Sequence, residues 1–157
     1  MPDSLTIRPA ALDDSPRLAE LCGVLGYPAE PGEFTLRLRR VLSRSEHVVL
    51  LAELEPGHIA GWIHAATHEF LEAGQQCEIL GLVVASENRG HGAGRRLVTA
   101  AEAWARDRGF QDLTVRSNIM RMESHPFYER MGFTRVKSQH VYRKRLHGVR
   151  TEEREHV

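Results

Sequence analysis

A glycine-rich turn between an apolar segment and an amphipathic segment is the feature of this sequence with the clearest chemical use. The apolar stretch Leu82-Val83-Val84-Ala85 is soon followed by Arg89-Gly90-His91-Gly92-Ala93-Gly94-Arg95. The first backbone amides of a helix lack intrahelical acceptors, and the helix dipole favours negative charge there. The pattern therefore predicts a turn whose N–H groups bind phosphate. The alternative is a turn that only packs a strand against a helix.

Two common nucleotide-binding patterns do not fit this turn. A P-loop requires Lys followed by Ser or Thr after its last glycine, whereas Arg95 and Arg96 follow Gly94. The dinucleotide pattern Gly-x-Gly-x-x-Gly fails because its third glycine would be Arg95 or Leu97. The spacing that fits is Arg-x-x-Gly-x-Gly, which begins at Arg89.

This spacing resembles the coenzyme A pyrophosphate loop of the GCN5-related N-acetyltransferase (GNAT) superfamily, and the resemblance covers residues 5–146. At the beginning of the chain it rests on Leu5-Thr6-Ile7-Arg8-Pro9-Ala10 and Asp13-Asp14, which are similar to the first strand and helix of that superfamily. Near the end it rests on a tyrosine-bearing helix with a Gly-Phe exit, Phe127-Tyr128-Glu129-Arg130-Met131-Gly132-Phe133. The resemblance implies direct transfer of an acetyl group from acetyl-CoA, the co-substrate, to a primary amine.

The periodicity of apolar residues predicts an α/β fold with interrupted helices and strands. We expect helices from Ser15 to Gly26, around Phe34 to Leu42, after the glycines up to Gly109, and over residues 124–131. After the first strand, further strands are expected at residues 47–54, 59–66, 76–85, 113–117, 135–137 and 141–145. The resemblance implies the GNAT fold: a central, mixed but mostly antiparallel sheet of six to seven strands, splayed between the fourth and fifth, with about four flanking helices.

Composition agrees with an ordinary soluble enzyme domain. The 157 residues, 41% hydrophobic and 27% charged, suit one domain over residues 1–146, followed by a polar tail over residues 147–157 that we expect to be disordered. The 21 basic and 21 acidic residues balance, so no overall basic field attracts nucleic acid or an anionic membrane. No apolar run reaches membrane-spanning length, and the two cysteines and lack of a targeting segment favour the cytoplasm.

Glu78 is the candidate catalytic base. It interrupts the apolar strand from Cys77 to Ala85, where a carboxylate is partly desolvated. A primary amine of pKa about 10 is neutral in only about one molecule in a thousand at pH 7, so its deprotonation must cover about 4 kcal/mol. The resemblance supports this role, since Glu78 stands eleven residues before Arg89, like the catalytic glutamate of histone-modifying members. Glu78 acts directly or through water; the alternative is a structural ion pair.

The resemblance also assigns the other functional positions. Tyr128 corresponds to the tyrosine that faces the coenzyme sulfur and protonates or hydrogen-bonds the leaving thiolate; the alternative is an aromatic residue packed with Phe127 and Phe133. A backbone N–H near Leu82 would stabilise the oxyanion. The predicted cofactor-binding residues are Leu82, Val83, Val84, Arg89, Gly90, His91, Gly92, Ala93, Gly94, Arg95, Asn118 and His125.

Histidines and cysteines suggest no further cofactor. His64 and His68 are four residues apart in a strand and a loop, and Glu72 and Cys77 do not complete a recognisable metal spacing, so we expect no metal. Cys77 could carry an acyl group as a nucleophile, but a small residue in a core strand is the more common role of such a cysteine.

The acceptor is expected to be a small primary amine. Ser117-Asn118, Arg121 and His125-Pro126-Phe127-Tyr128 resemble the aminoalkylphosphonate and related small-amine N-acetyltransferases. The asparagine that usually stands seven residues before the tyrosine is replaced by Arg121, which could bind an acidic acceptor group. Loops 27–32 and 68–75 would shape the pocket. A protein N-terminus or lysine as acceptor, and an acyl-CoA sensor without activity, remain the alternatives, and a homodimer could form through the apolar segment 141–146.

Overall fold

Four helices and five strands occupy the parts of the chain that the structure, a computed structural model, describes: residues 4–117 and 124–147. The chain divides into two compact units, Met1–Arg116 and Ser117–Val157. In chain order the elements are β1 Thr6–Pro9, α1 Ser15–Val24, α2 Pro31–Leu42, β2 His47–Glu55, β3 His58–Phe70, β4 Gly74–Val84, α3 Ala93–Asp107, β5 Thr114–Val115 and α4 Ser124–Arg130.

The first unit is built on a five-stranded mixed sheet in the order β1-β2-β3-β4-β5. The first four strands are antiparallel, and β5 pairs in parallel with β4 at two positions only, Glu78 with Thr114 and Ile79 with Val115. The pairing of β4 with β5 stops at Ile79 although β4 continues to Val84. The described residues therefore leave that edge of β4 unpaired from Leu80 onward.

A bulge at Leu80 changes which residues of β4 face each side of the sheet. His64 pairs with Gly81 whereas Ala65 pairs with Ile79, so Leu80 has no partner on β3. Because side chains alternate along a strand, the extra residue reverses the alternation. Glu78, opposite Ala66, thus shares a face with Val83, opposite Trp62.

That face of the sheet is covered by α1 and α2. Leu18 and Leu21 of α1 and Phe34 and Leu38 of α2 pack with four sheet residues, Val49, Leu51, Trp62 and Val83. Pro16 and Pro31 lie at the first turns of these helices, where a missing N–H costs nothing, and the Glu30 carboxylate accepts hydrogen bonds from the amides of Gly32 and Glu33.

The third helix contacts β1, β2, β3 and β4. Its buried residues Leu97, Val98, Ala101 and Ala105 recur at helical spacing and form one apolar stripe. They belong to the buried core but not to the α1/α2 cluster. The sheet therefore separates α3 from the face that carries Glu78.

The number of strands is smaller than predicted. The structure has five strands in the described residues rather than six to seven, and segments 135–137 and 141–145, expected as closing strands, have no strand pairing. An extended segment becomes a strand only where a neighbouring backbone accepts and donates its hydrogen bonds. Instead, Val136, Val141 and Tyr142 are more than four-fifths exposed.

The predicted loop 68–75 is also shorter than expected. β3 extends to Phe70 and β4 begins at Gly74, so His68 lies in a strand and pairs with Gln76.

The four predicted helices are confirmed. Among the described residues, none of the helices combines the length and apolar character needed to cross a membrane.

The contact between Gly61 and β4 gives a test of the sheet. A Cβ at Gly61 would lie 2.5 Å from the carbonyl oxygen of Val83, which is too close for any side chain. We expect Gly61→Ala to lower the free energy of unfolding by about 2 kcal/mol or more, because the strands must separate. Gly23 of α1 has nothing within 4 Å of a built Cβ, so Gly23→Ala should stabilise the protein by about 0.5–1 kcal/mol. Urea unfolding of both variants measures the difference.

Candidate functional site

The glycine-rich turn leads directly into α3 with an uncapped N-terminus. Gly90 and Gly92 have φ angles of 86° and 82°, a left-handed conformation that glycine adopts without strain. Gly92 is the N-cap residue and has no side chain to satisfy the first amides of the helix. A Cβ built at either glycine would meet no atom within 4 Å, so the space above the turn is open.

The side chains of this turn fit a negatively charged ligand. Arg89, His91 and Arg95 are exposed, whereas Ala93 is buried and anchors the start of the helix against the core. Helix amides and arginine guanidinium groups are the usual partners of phosphate oxygens. The predicted residues 89–95 therefore lie together after β4, in a turn whose backbone and charge suit an anion.

The free edge of β4 adds a second binding feature. Val83 is buried under α1 and α2, and Leu82 and Val84 are half-buried. Beyond Ile79 the described residues place no strand beside β4. An extended ligand can therefore hydrogen-bond to its backbone as an added strand and continue into the glycine turn.

Glu78 lies farther back along β4 and is almost completely buried, with 5% of its surface exposed. One carboxylate oxygen, Oε1, is 3.0 Å from Nε2 of His68, and the other, Oε2, is 3.3 Å from Nε of Arg116. A buried carboxylate needs such partners, because losing water without compensation costs several kcal/mol. The structural ion pair anticipated as an alternative is thus present between Glu78 and Arg116, and the imidazole of His68 adds a hydrogen bond.

Two more histidines line the same face of the sheet. His64 and His68 flank Ala66 on β3, and His47 of β2 lies opposite Ala66. Nδ1 of His47 is 2.8 Å from Nε2 of His64. Burial lowers the pKa of His64 to about 4, with a contribution from His47. Burial and Arg44 also lower the pKa of His47.

Tyr128 belongs to the second unit. It lies on α4 between two aromatic neighbours, with ring centroids 5.2 Å from Phe127 and 5.6 Å from Phe133, both edge to face. The amide of Phe133 donates to the carbonyl of Tyr128 at 3.0 Å and closes the helix at Gly132. His125, at the start of α4, is half-buried. Asn118 and Arg121 lie outside the described residues.

Cys77 is a core residue in this structure. Its side chain is 1% exposed, and burial raises the pKa of the thiol. A thiol reacts as its thiolate, which burial disfavours. The described residues contain no group of three or more His, Cys, Asp or Glu side chains arranged to hold a metal ion.

Three features of the site were not predicted from the sequence: the contact of His68 with Glu78, the contact of Arg116 with Glu78, and the bulge at Leu80. The alternation of His64, Ala66 and His68, ending at Phe70, could have indicated that β3 continues through His68. Arg116 carried no signal, because only the parallel pairing of β5 with β4 brings it to Glu78.

Comparison with known proteins identifies the class. The profile of the Acetyltransferase (GNAT) family matches residues 15–133. The chain therefore belongs to the GNAT family and is an N-acetyltransferase, as the sequence predicted.

Individual relatives are more distant. A Stenotrophomonas maltophilia protein named "Aminoglycoside N(6')-acetyltransferase type 1" is 27% identical over 132 residues, which is 82% of this chain and 85% of that protein. The mouse protein "Probable N-acetyltransferase family 8 member 5" is 33% identical over 62 residues, 40% of this chain, and the match spans only 27% of the mouse protein.

Solved structures confirm the fold. An aminoglycoside antibiotic 6'-N-acetyltransferase from Acinetobacter baumannii superposes with a TM-score of 0.81 at 18% identity, covering 90% of this chain and 99% of that one. At this identity the likeness describes the fold and not the acceptor.

The histidine pair makes stability depend on pH. The pKa of His64 is about 4 in the folded protein and about 6.5 in an unfolded chain, so the unfolded state binds more protons between these values. The contribution of His64 to the free energy of unfolding is fully present above pH 6.5 and is lost as the pH falls towards 4. We expect the free energy of unfolding to drop by about 2 kcal/mol between pH 7 and pH 5. Urea titrations at both values measure it, and His64→Gln should flatten the dependence; an equal slope in that variant would contradict the assignment.

Proposed function

We propose that this protein transfers an acetyl group from acetyl-CoA directly to the primary amine of a small molecule. The observation that carries the proposal is the glycine turn at the N-terminus of α3, placed at the end of a strand whose edge is open. Acetyl-CoA joins a pyrophosphate to an extended pantetheine arm, so both halves of this arrangement have a chemical counterpart in the ligand.

Acetyl-CoA would be held at two places in the first unit. The backbone amides of residues 90–95 would bind the pyrophosphate, with Arg89 and Arg95 as charged partners, and residues 82–84 would hydrogen-bond the pantetheine arm. When bound, acetyl-CoA supplies the thioester carbon that the amine attacks. A backbone amide near Leu82 would stabilise the oxyanion. Asn118 and His125 remain proposed cofactor contacts.

The chain would supply proton transfer at both ends of the reaction. Glu78 provides the negative charge that draws the proton from the acceptor ammonium, either directly or through a group hydrogen-bonded to it. Tyr128 would donate a hydrogen bond or proton to the departing thiolate. The buried charge of Glu78 favours this role, because electrostatic attraction to an ammonium is stronger where water is excluded.

A small acceptor is favoured by the relatives. The Stenotrophomonas relative, which covers most of this chain, is named for acetylating aminoglycosides, and these are polyamines. A protein N-terminus or a lysine is the competing acceptor, and a sensor that binds acyl-CoA without turnover is the competing function. A sensor requires neither Glu78 nor Tyr128.

A panel of amines tests the proposal. Thiol release from acetyl-CoA is followed with aminoglycosides, aminoalkylphosphonates, polyamines, amino acids and short peptides. Thiol release that depends on a small amine supports the proposal. Release with peptides alone would instead make the protein an acetyltransferase of protein substrates. Binding of acetyl-CoA without release with any acceptor would favour the sensor.

The turn can be tested separately from catalysis. Gly92→Ala should raise the Kd for acetyl-CoA at least tenfold, because a Cβ at a φ of 82° distorts the amides at the helix start. Gly57, in the turn between β2 and β3, has a φ of 84° and equally open surroundings, so Gly57→Ala is a control with the same backbone strain. Isothermal titration measures both affinities, and equal losses would exclude the turn as the binding site.

Removing the carboxylate tests Glu78. Glu78→Gln should lower kcat about 100-fold while leaving the Kd for acetyl-CoA unchanged, since a base contributes about this factor to proton transfer. Glu55→Gln, at an exposed carboxylate at the end of β2, is the control. An unchanged kcat in Glu78→Gln, together with a lowered free energy of unfolding, would leave Glu78 only a structural role.

A further inference from the structure

The buried carboxylate of Glu78 is covered by two side chains that are more exposed than it is. Its side chain is 7% exposed, whereas those of His68 and Arg116 are 31% and 64% exposed. Each of its oxygens already has one of these partners, at 3.0 Å and 3.3 Å. A proton that leaves the acceptor must therefore pass a group that reaches the solvent.

The overall reaction requires that a proton move from the acceptor to the solvent. An ammonium and acetyl-CoA give an amide and a free thiol, and one proton is released to the solvent in every turnover. Arg116 cannot take that proton, because a guanidinium remains protonated in proteins. Of the two described side chains that contact Glu78, an imidazole can take up and release a proton whereas a guanidinium cannot, so His68 is the candidate.

We propose that His68 is the proton acceptor of the reaction, with the buried carboxylate of Glu78 as its fixed counter-charge. This rests on the proposed N-acetyltransferase function and assigns its base to a particular atom. With Glu78 ionised, Nε2–H of His68 donates to Oε1, which leaves the lone pair on Nδ1. The same carboxylate fixes the tautomer and stabilises the imidazolium when it forms.

The step balances in atoms and charge. One N–H bond of the ammonium breaks and its electron pair stays on nitrogen, which then attacks the thioester carbon. The C–N bond forms, the C–S bond breaks, and a second N–H proton balances the one that the departing thiolate takes up to leave as the free thiol, with Tyr128 as its proposed donor. The first proton forms a bond with Nδ1 of His68, and the resulting imidazolium is paired with Glu78. Release of the Nδ1 proton to water restores the neutral ring before the next turnover.

The other charged groups on this face do not compete for the proton. His47 from β2 interacts electrostatically with His68, and its own neighbours are Arg44 and Glu46. His47 and His64 engage each other at 2.8 Å. Both have lowered pKa values, so neither carries a charge near neutral pH. Glu78 of β4 contacts His68, Arg116 after β5 contacts Glu78, and the Phe70 ring lies edge-on to the His68 ring.

The substitution His68→Gln shows whether His68 or Glu78 takes the proton from the acceptor. The glutamine side chain keeps an N–H donor for Oε1 of Glu78 but cannot accept a proton. We expect His68→Gln to lower kcat about 100-fold, to leave the KM for acetyl-CoA unchanged, and to remove the loss of kcat/KM at acidic pH. The assay is thiol release between pH 5.5 and 9 with the best amine of the panel. His58→Gln, at an exposed histidine of β3, is the control and should match wild type.

Chemical rescue excludes a merely structural effect. Imidazole added to His68→Ala should restore thiol release in proportion to its concentration, but it should not restore Glu78→Gln. If His68→Gln keeps the wild-type rate and pH profile, Glu78 acts directly and the proposal is wrong. Absence of rescue in a folded His68→Ala protein would overturn it as well.

A measurement without an acceptor distinguishes failure of this proposal from failure of the proposed function. The ¹⁵N signals of the His68 ring at pH 8 identify which nitrogen carries the proton. Protonation at Nε2, lost in Glu78→Gln, supports the assignment even if every amine in the panel is inactive. Protonation at Nδ1 in the wild-type protein overturns it whatever the panel shows.

Discussion

The pairing of β3 with β4, with its bulge at Leu80, is the constraint on which the rest of the site depends. Side chains alternate strictly along a strand, so Glu78 and Val83 would face opposite sides of the sheet without the extra residue. The bulge places both on the face covered by α1 and α2. Val83 thereby packs in the core while Glu78 contacts His68 on the same face of the sheet.

The second consequence concerns the other edge of β4. Parallel pairing with β5 ends after Ile79, so the described residues leave the later backbone groups of β4 without a neighbouring strand. An unpaired edge is usually a liability, because any extended chain can add to it. Here it runs into the open glycine turn and the start of α3, an arrangement that suits a ligand with an extended arm joined to a phosphate group. The family assignment agrees with that use.

Burial determines how the polar side chains on this face of the sheet are charged and paired. The His47–His64 pair stays uncharged because burial lowers both pKa values, whereas Glu78 is balanced by Arg116 and by a hydrogen bond from His68. A charge in such surroundings is stable only with partners, and removing one of them leaves the other at a cost of several kcal/mol. The same desolvation strengthens the attraction of Glu78 for a cation. Structural pairing and the proposed catalytic role would thus rest on one buried charge.

The sequence by itself determined the local features. The periodicity of apolar residues predicted α1 to α4 and β1 to β5. The Arg-x-x-Gly-x-Gly turn and the motifs near the two ends of the chain predicted the family, because all these signals act over a few neighbouring residues. Tertiary structure decided the rest. The bulge, the length of β3 through His68 and the approach of Arg116 depend on which strands become neighbours, and the expected closing strands at 135–137 and 141–145 lack a pairing partner in the described chain. A residue pattern specifies that a segment can extend, but only another backbone can supply its hydrogen bonds.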